Sequence, residues 1–126
     1  MKILVVDDEQ LARERLLRLL SRIRPDAQCL QASDGAEALA TVAAEQPDLL
    51  LLDIRMPDMD GLEAARHIMQ METPAAVIFC TAYGEHALEA FDARAVGYLL
   101  KPVKADQLEA ALANAKRLTR VQLNAV

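Results

Sequence analysis

The sequence predicts an open, doubly wound α/β sheet, (βα)5, with five parallel strands in the order 2-1-3-4-5. Three observations carry this. Short apolar runs and stretches of helical period alternate along the chain. The runs lack the polar alternation of a half-wet strand, which suits parallel strands covered on both faces. Pro25, Pro47, Pro57, Pro74 and Pro102 all fall between these segments, where a residue without an N–H belongs.

The first strand is Ile3 to Val6. Ala12, Leu16, Leu19, Leu20 and Ile23 then recur on one helical face, with Arg13, Glu14, Arg18 and Arg22 elsewhere. Ala27 to Ala32 is a weaker run interrupted by Gln28 and Gln31, which predicts an edge strand with a partly wet side. Asp34, with Glu37 three residues on, resembles a capping box opening a second helix marked by Leu39, Val42 and Ala43. Leu49 to Leu52 is the third strand, and Leu62, Ala65, Ile68 and Met69 mark the third helix. Val77 to Cys80 is the fourth strand, followed by a helix marked by Ala87, Leu88 and Phe91. Val96 to Leu100, around Gly97, is the fifth strand, and Leu108, Ala111, Leu112 and Ala115 mark the last helix. Right-handed crossovers put helices on both faces, and 2-1-3-4-5 is a common order for such sheets. Residues 119–126 carry no clear period and read as a linker or a cut end.

The 126 residues suffice for one domain. Hydrophobic residues make up 53% and charged residues 26%, the balance of an ordinary globular protein. A core of this size buries roughly two thirds of the unfolded chain's surface, so folding requires no metal or disulfide. Aromatics are only 3%, which leaves the core to Leu, Val, Ile and Ala. The net charge of −5 argues against nucleic-acid binding by this segment. Cys29 and Cys80 lack metal-type spacing and lie in apolar runs, as small hydrophobes. The chain enters its first strand without a signal-type leader, and no run approaches the ~18 apolar residues of a membrane span. The expected location is the cytoplasm, with no membrane partner.

The predicted strand order puts a switch point between the first and third strands, where open α/β sheets bind ligands beyond the strands' carboxyl ends. Asp7, Asp8 and Glu9 follow the first strand, and Asp53 follows the third. Neighbouring strands lie about 4.8 Å apart, so these carboxylates crowd together. Such crowding calls for raised pKa values or a countercharge, and a hard divalent cation such as Mg²⁺ supplies one. The blander reading has Asp7, Asp8 and Glu9 merely capping the first helix. Thr81 and Lys101 end the fourth and fifth strands at the same edge. A hydroxyl and an ammonium there can serve a phosphoryl oxygen. Singly, each is also an ordinary strand-end residue.

Four segments carry a resemblance: Val5-Val6-Asp7-Asp8-Glu9, Leu51-Leu52-Asp53-Ile54-Arg55-Met56-Pro57-Asp58-Met59-Asp60-Gly61, Thr81-Ala82 and Tyr98-Leu99-Leu100-Lys101-Pro102. In this order and at these separations the chain resembles the CheY-like receiver domain of two-component response regulators, over about residues 1–118. The stretch Glu85-His86-Ala87-Leu88-Glu89-Ala90-Phe91, running on to Gly97 and Pro102, resembles the LytTR-type regulators and, among them, the alginate-biosynthesis-regulator group.

The resemblance implies a phosphoacceptor switch that catalyses its own phosphorylation and dephosphorylation rather than an enzyme acting on other substrates. Asp53 would take the phosphoryl group. Asp8, Asp53 and the backbone carbonyl of Arg55 would hold Mg²⁺, with Asp7 acting mainly through water. Lys101 would pair with Asp53 and then with the phosphoryl group. Thr81 would hydrogen-bond a phosphoryl oxygen, Tyr98 would turn inward behind it, and a cis peptide would precede Pro102. Arg55 and Tyr83 would set the phosphoryl lifetime. Implied partners are a sensor histidine kinase, a second copy through the fourth and fifth helix region, and DNA through a C-terminal LytTR output domain beyond this chain. The first helix is a docking face in such relatives.

Two other functions are weighed beside this one. A stand-alone receiver would pass phosphate on or dock to a partner, and sequence beyond Val126 separates it from the first. A phosphohydrolase of the haloacid-dehalogenase type would use Asp53 as nucleophile, but it needs a second Asp where this chain has Arg55. His67 and His86 read as solvated or half-packed helical residues, and Met56 and Met59 as loop packing.

Overall fold

A computed structural model describes residues 1–72 and 74–124, apart from the side chains of Phe91 and residues 116–124. The elements run β1 Lys2–Val6, α1 Gln10–Ile23, β2 Gln28–Ala32, α2 Gly35–Glu45, β3 Leu49–Leu52, α3 Gly61–Met69, β4 Ala76–Thr81, α4 Ala87–Asp92, β5 Gly97–Leu100 and α5 Ala105–Asn124. A 3₁₀ turn at Gly84–His86 leads into α4. All strands are parallel, in the predicted order β2-β1-β3-β4-β5.

Successive strand residues point to opposite faces, and the core divides accordingly. Leu4, Val6, Leu50, Leu52, Val77 and Phe79 pack with Ala38 and Val42 of α2, Leu62, Ala65 and Ile68 of α3, and Ala90 of α4. Ile3, Val5, Leu49, Leu51, Ile78 and Cys80 pack with Leu16 and Leu20 of α1 and with Leu108, Leu112 and Ala115 of α5. Every residue of β3 is buried, as a central strand with no polar position must be. β2 is the partly wet edge, with Gln28 and Gln31 exposed.

Two predicted faces shift. In α2 Ala43 is exposed and Ala38 takes the core position. In α4 Ala87 and Leu88 are exposed, Leu88 at 83%, while Ala90 and Ala93 are buried; the side chain of Phe91 lies outside the described residues. Among the described side chains in and just after this six-residue helix, the buried ones are alanines. The capping box is half made. Asp34 accepts from the Glu37 N–H at 2.7 Å, but the Glu37 carboxylate turns to the Ser33 hydroxyl at 2.9 Å instead of back to Asp34. Asp60 caps α3 in the same way, accepting from the Glu63 N–H at 2.8 Å. α5 stays helical through residues 119–124, and residues 125–126 of the expected linker lie outside the described residues. Among the described residues, no helix is long and apolar enough to cross a membrane.

Candidate functional site

β1 and β3 are adjacent, and their carboxyl ends deliver Asp7, Asp8 and Asp53 to one spot. One carboxylate oxygen from each lies within 4.8 Å of the others. Asp7 is 1% exposed and Asp53 8%, while Asp8 is open to solvent.

Asp7 is bound on every side. Its N–H donates to the Ala32 carbonyl at 3.2 Å, and its carbonyl accepts from Arg13 at 2.8 Å. Its Oδ1 accepts from the Glu9 N–H at 2.9 Å, and its Oδ2 receives Lys101 Nζ at 2.6 Å. The capping reading of this triplet therefore does not hold. Glu9 occupies the N-cap of α1 without a side-chain hydrogen bond, and Asp7 ties the turn before the helix.

The Asp53 N–H donates to the Val6 carbonyl at 3.0 Å, and its Oδ1 accepts from the Ile54 N–H at 2.8 Å. Its Oδ2 receives Lys101 Nζ at 3.2 Å. Lys101 thus bridges both buried aspartates and lies closer to Asp7. Burial pushes the Asp53 carboxyl above its ordinary value; Lys101 opposes this and Asp7 adds to it. Burial pulls the Lys101 ammonium down, but its hydrogen bond to Asp7 and the charges of Asp53 and Asp7 outweigh that and hold it above its usual value.

Gly61 packs against the Asp53 backbone. A Cβ on Gly61 would come within 2.0 Å of the Asp53 carbonyl oxygen, and the Gly61 N–H donates to the Ile54 carbonyl at 2.7 Å. Asp58, in the intervening loop, takes a left-handed φ of 66°, which Asp tolerates better than most residues. Met56 is buried and Met59 packs against the core, as loop packing predicts.

Thr81 and Tyr98 lie on β4 and β5, and Tyr83 connects them. The Tyr83 N–H donates to Thr81 Oγ at 3.3 Å, and its carbonyl accepts from the Tyr98 hydroxyl. Thr81 is wholly buried. The Tyr98 ring is half-buried, tilted 55° against Phe79 at 6.4 Å. Burial raises the Tyr98 phenol, and a backbone hydrogen bond from His86 works against the rise. Arg55 lies 3.7 Å over the Tyr83 ring and donates to Glu85 at 2.9 Å.

Other candidates fall outside this constellation. Burial pushes the Cys80 thiol up to about 12, and Cys29 also lies above its usual value. His86 is half-packed with Nδ1 3.1 Å from Glu89, and His67 is exposed. The Lys101–Pro102 peptide is cis. Sequence reasoning missed Arg13, Gly61 and Glu85 as contributors. Gly61 could have been found, because it directly follows a second Asp-x-x-Glu start at Asp60.

Residues 3–113 match the family model described as the response regulator receiver domain. The chain belongs to that family. The receiver is 52% identical, over its whole length, to the positive alginate biosynthesis regulatory protein of Pseudomonas aeruginosa, of which it covers 51%. It is 34% identical to the sensory transduction protein LytT of Bacillus subtilis, covering 95% of this chain and 50% of that one. The receiver therefore spans about half the length of these curated relatives. A receiver-domain crystal structure from Clostridium thermocellum superposes with a TM-score of 0.86 at 31% identity, covering 96% of this chain and 98% of that one. The fold is CheY-like, and the receiver is a regulatory module rather than a classical enzyme.

Proposed function

We propose that this receiver accepts a phosphoryl group on Asp53 with Mg²⁺ held by Asp8, Asp53 and the Arg55 backbone carbonyl, and with Asp7 acting mainly through water. The observation that carries the reading is the pairing of three converging carboxylates with one lysine that reaches two of them. The donor set is all oxygen and partly open, which suits a cation that keeps several waters and takes few carboxylates. Bound there, Mg²⁺ neutralises charge on the carboxylates and the transferring phosphoryl group.

A sensor histidine kinase, or a small acyl phosphate, supplies the phosphoryl group. An Asp53 carboxylate oxygen attacks phosphorus, the bond to the donor's imidazole nitrogen or acyl oxygen breaks, and an acyl phosphate forms on Asp53. Lys101 moves its ammonium from the carboxylates to a phosphoryl oxygen as a point charge. Thr81 Oγ, now accepting from Tyr83, turns its O–H to another phosphoryl oxygen, and Tyr98 turns inward behind it. Both changes pull on Tyr83, so phosphorylation biases the β4–α4 loop and the face of α4 and α5. Hydrolysis of the acyl phosphate resets the domain, with Arg55 and Tyr83 setting its lifetime.

The receiver occupies residues 1–118 and residues 119–126 form the link to a LytTR DNA-binding output domain. Support comes from relatives twice as long and from a helix that continues to Asn124. The kinase docks beside α1, where Leu11 is exposed at 79%; a second copy binds through the α4 and α5 region; DNA is reached through the output domain; and the setting is the cytoplasm. Incubation with acetyl phosphate, with and without Mg²⁺, followed by intact mass, tests the reading. One phosphate gained only with Mg²⁺, and lost in Asp53→Asn, is the expected result. An equal gain in the Asn variant would end it.

A further inference from the structure

We propose that Arg13 is a positioning residue for divalent-ion binding, acting through the backbone of Asp7; this rests on the phosphoacceptor reading above. β1 pairs with both neighbours only as far as Val6, opposite Ala32 and Leu52. Asp7 lies one residue past that ladder, and its side chain must nevertheless be held for an ion. Its N–H is tied to β2 through the Ala32 carbonyl. Its carbonyl is tied to α1, because Arg13 Nη1 donates to it at 2.8 Å. Arg13 is braced in turn, its Nε donating at 3.1 Å to Gln31 Oε1 on β2. The half-buried guanidinium therefore joins the start of α1, the end of β1 and the edge strand. The peptide it grips is the one between Asp7 and Asp8, so any tilt there re-aims both carboxylates.

Two effects of Arg13 on an ion oppose each other in sign, which makes the assignment testable. As a positive charge near the cluster, Arg13 repels a divalent cation, so its removal would tighten binding. As a clamp on the ligand backbone it holds the donors in place, so its removal would loosen binding. Outer-shell partners of metal ligands typically account for about 10–100-fold in metal affinity. Long-range repulsion across a partly solvated surface is screened and smaller. The clamp should win. Lysine keeps the charge but not the fork that spans the Asp7 carbonyl and Gln31.

Calorimetric titration of Mg²⁺ alone into the domain decides this. Arg13→Met should bind about tenfold more weakly than wild type or worse. Arg13→Lys should fall between them, and Arg22→Met, the same charge loss at the far end of α1, should match wild type. Gln31→Ala removes only the brace, preserves every charge and should weaken binding in the same direction. It also stands in if Arg13→Met fails to fold. Affinity in Arg13→Met equal to or tighter than wild type overturns the proposal, as does an equal loss in Arg22→Met. A wild-type domain that takes up no Mg²⁺ sinks the phosphoacceptor reading itself, a distinct outcome.

Discussion

At the ends of β1 and β3 two of the three aspartates are buried and tied down, Asp7 at 1% exposure and Asp53 at 8%. Past β4 and at the end of β5 the surface is more open, with Tyr83 at 39%, Leu88 at 83% and Leu100 at 51%. The acidic half is fixed by backbone hydrogen bonds and a part-buried lysine. The other half is held by the exposed Arg55–Glu85 pair, a cation–π contact and a six-residue helix. An ion site needs donors that do not move, and a reporting surface needs alternatives of similar energy. Local stability is low where apolar contacts are few and hydrogen bonds are solvated. On the proposed reading the better-tied half would serve the ion and the more exposed half the readout, with Tyr83 touching both Thr81 and Tyr98 between them.

One glycine in each half gives the largest test. Gly61→Ala forces a methyl to within 2.0 Å of the Asp53 carbonyl oxygen, so backbone must shift. Overpacking of this kind costs about 3 kcal/mol here, the upper end of the usual range, against the ~1 kcal/mol that Gly→Ala normally adds to a helix. Gly84→Ala meets only Leu100 Cδ2 at 3.8 Å, an ordinary contact, and should leave stability unchanged. Denaturant midpoints of the two variants should separate widely, with Mg²⁺ uptake lost only in Gly61→Ala. Equal midpoints would remove the contrast between the halves.

Lys101→Met comes next. It leaves Asp7 and Asp53 buried and facing each other without their shared ammonium. Because Lys101 keeps 24% of its side-chain exposure, the cost is discounted from the buried-pair range to about 2 kcal/mol. The pH dependence has a defined sign. Burial raises the folded Asp53 pKa above its unfolded value, so its contribution is complete below about pH 3.9 and is lost as pH climbs through the folded value. The raised Lys101 contributes below about pH 10.4 and loses that contribution as pH passes its own folded value. Without Lys101 the Asp53 window widens upward. Melting curves in the absence of metal should therefore show the variant's deficit smallest near pH 4 and largest at neutrality, with Mg²⁺ recovering part of it. A deficit independent of pH would mean that charge is not what Lys101 contributes.

Legibility follows the same division. The four-leucine run of β3, the glutamine-marked edge at β2 and the convergence of Asp7, Asp8, Asp53 and Lys101 all came from local pattern plus strand order. These depend on period and on a topology with few alternatives. The inner face of α4 came through poorly: among the described side chains of this segment Ala90 is buried, and the expected Leu88 faces water. Arg13 with Gln31 and Arg55 with Glu85 were also invisible. Each pair joins loops or elements far apart in sequence, and charged residues on amphipathic segments look alike until the fold chooses their neighbours. The closer of Lys101's two partners did not come through either: the resemblance pairs it with Asp53, and its ammonium lies nearer Asp7.

Glu85→Gln also has a small effect on stability, and it probes the more exposed half most directly. Its pair with Arg55 is exposed at both ends, 53% and 59%, and such pairs contribute about 0–1 kcal/mol, so the melting temperature should barely change. The positional effect is another matter. Glu85 holds the guanidinium over Tyr83, and in the proposed reading Arg55 and Tyr83 stand beside the path by which water would reach an Asp53 phosphoryl group. Releasing Arg55 frees that path at a cost of about 0.5 kcal/mol in the barrier, which corresponds to a roughly twofold shorter phosphoryl lifetime. Arg55→Ala should shorten it at least as much, and the double variant should add nothing, since Glu85 acts only through Arg55. Intact mass followed over time after acetyl phosphate is removed gives all three rates. Additive effects in the double variant would show that Glu85 acts on the water directly, and an unchanged rate in Arg55→Ala would detach this half of the site from the lifetime altogether.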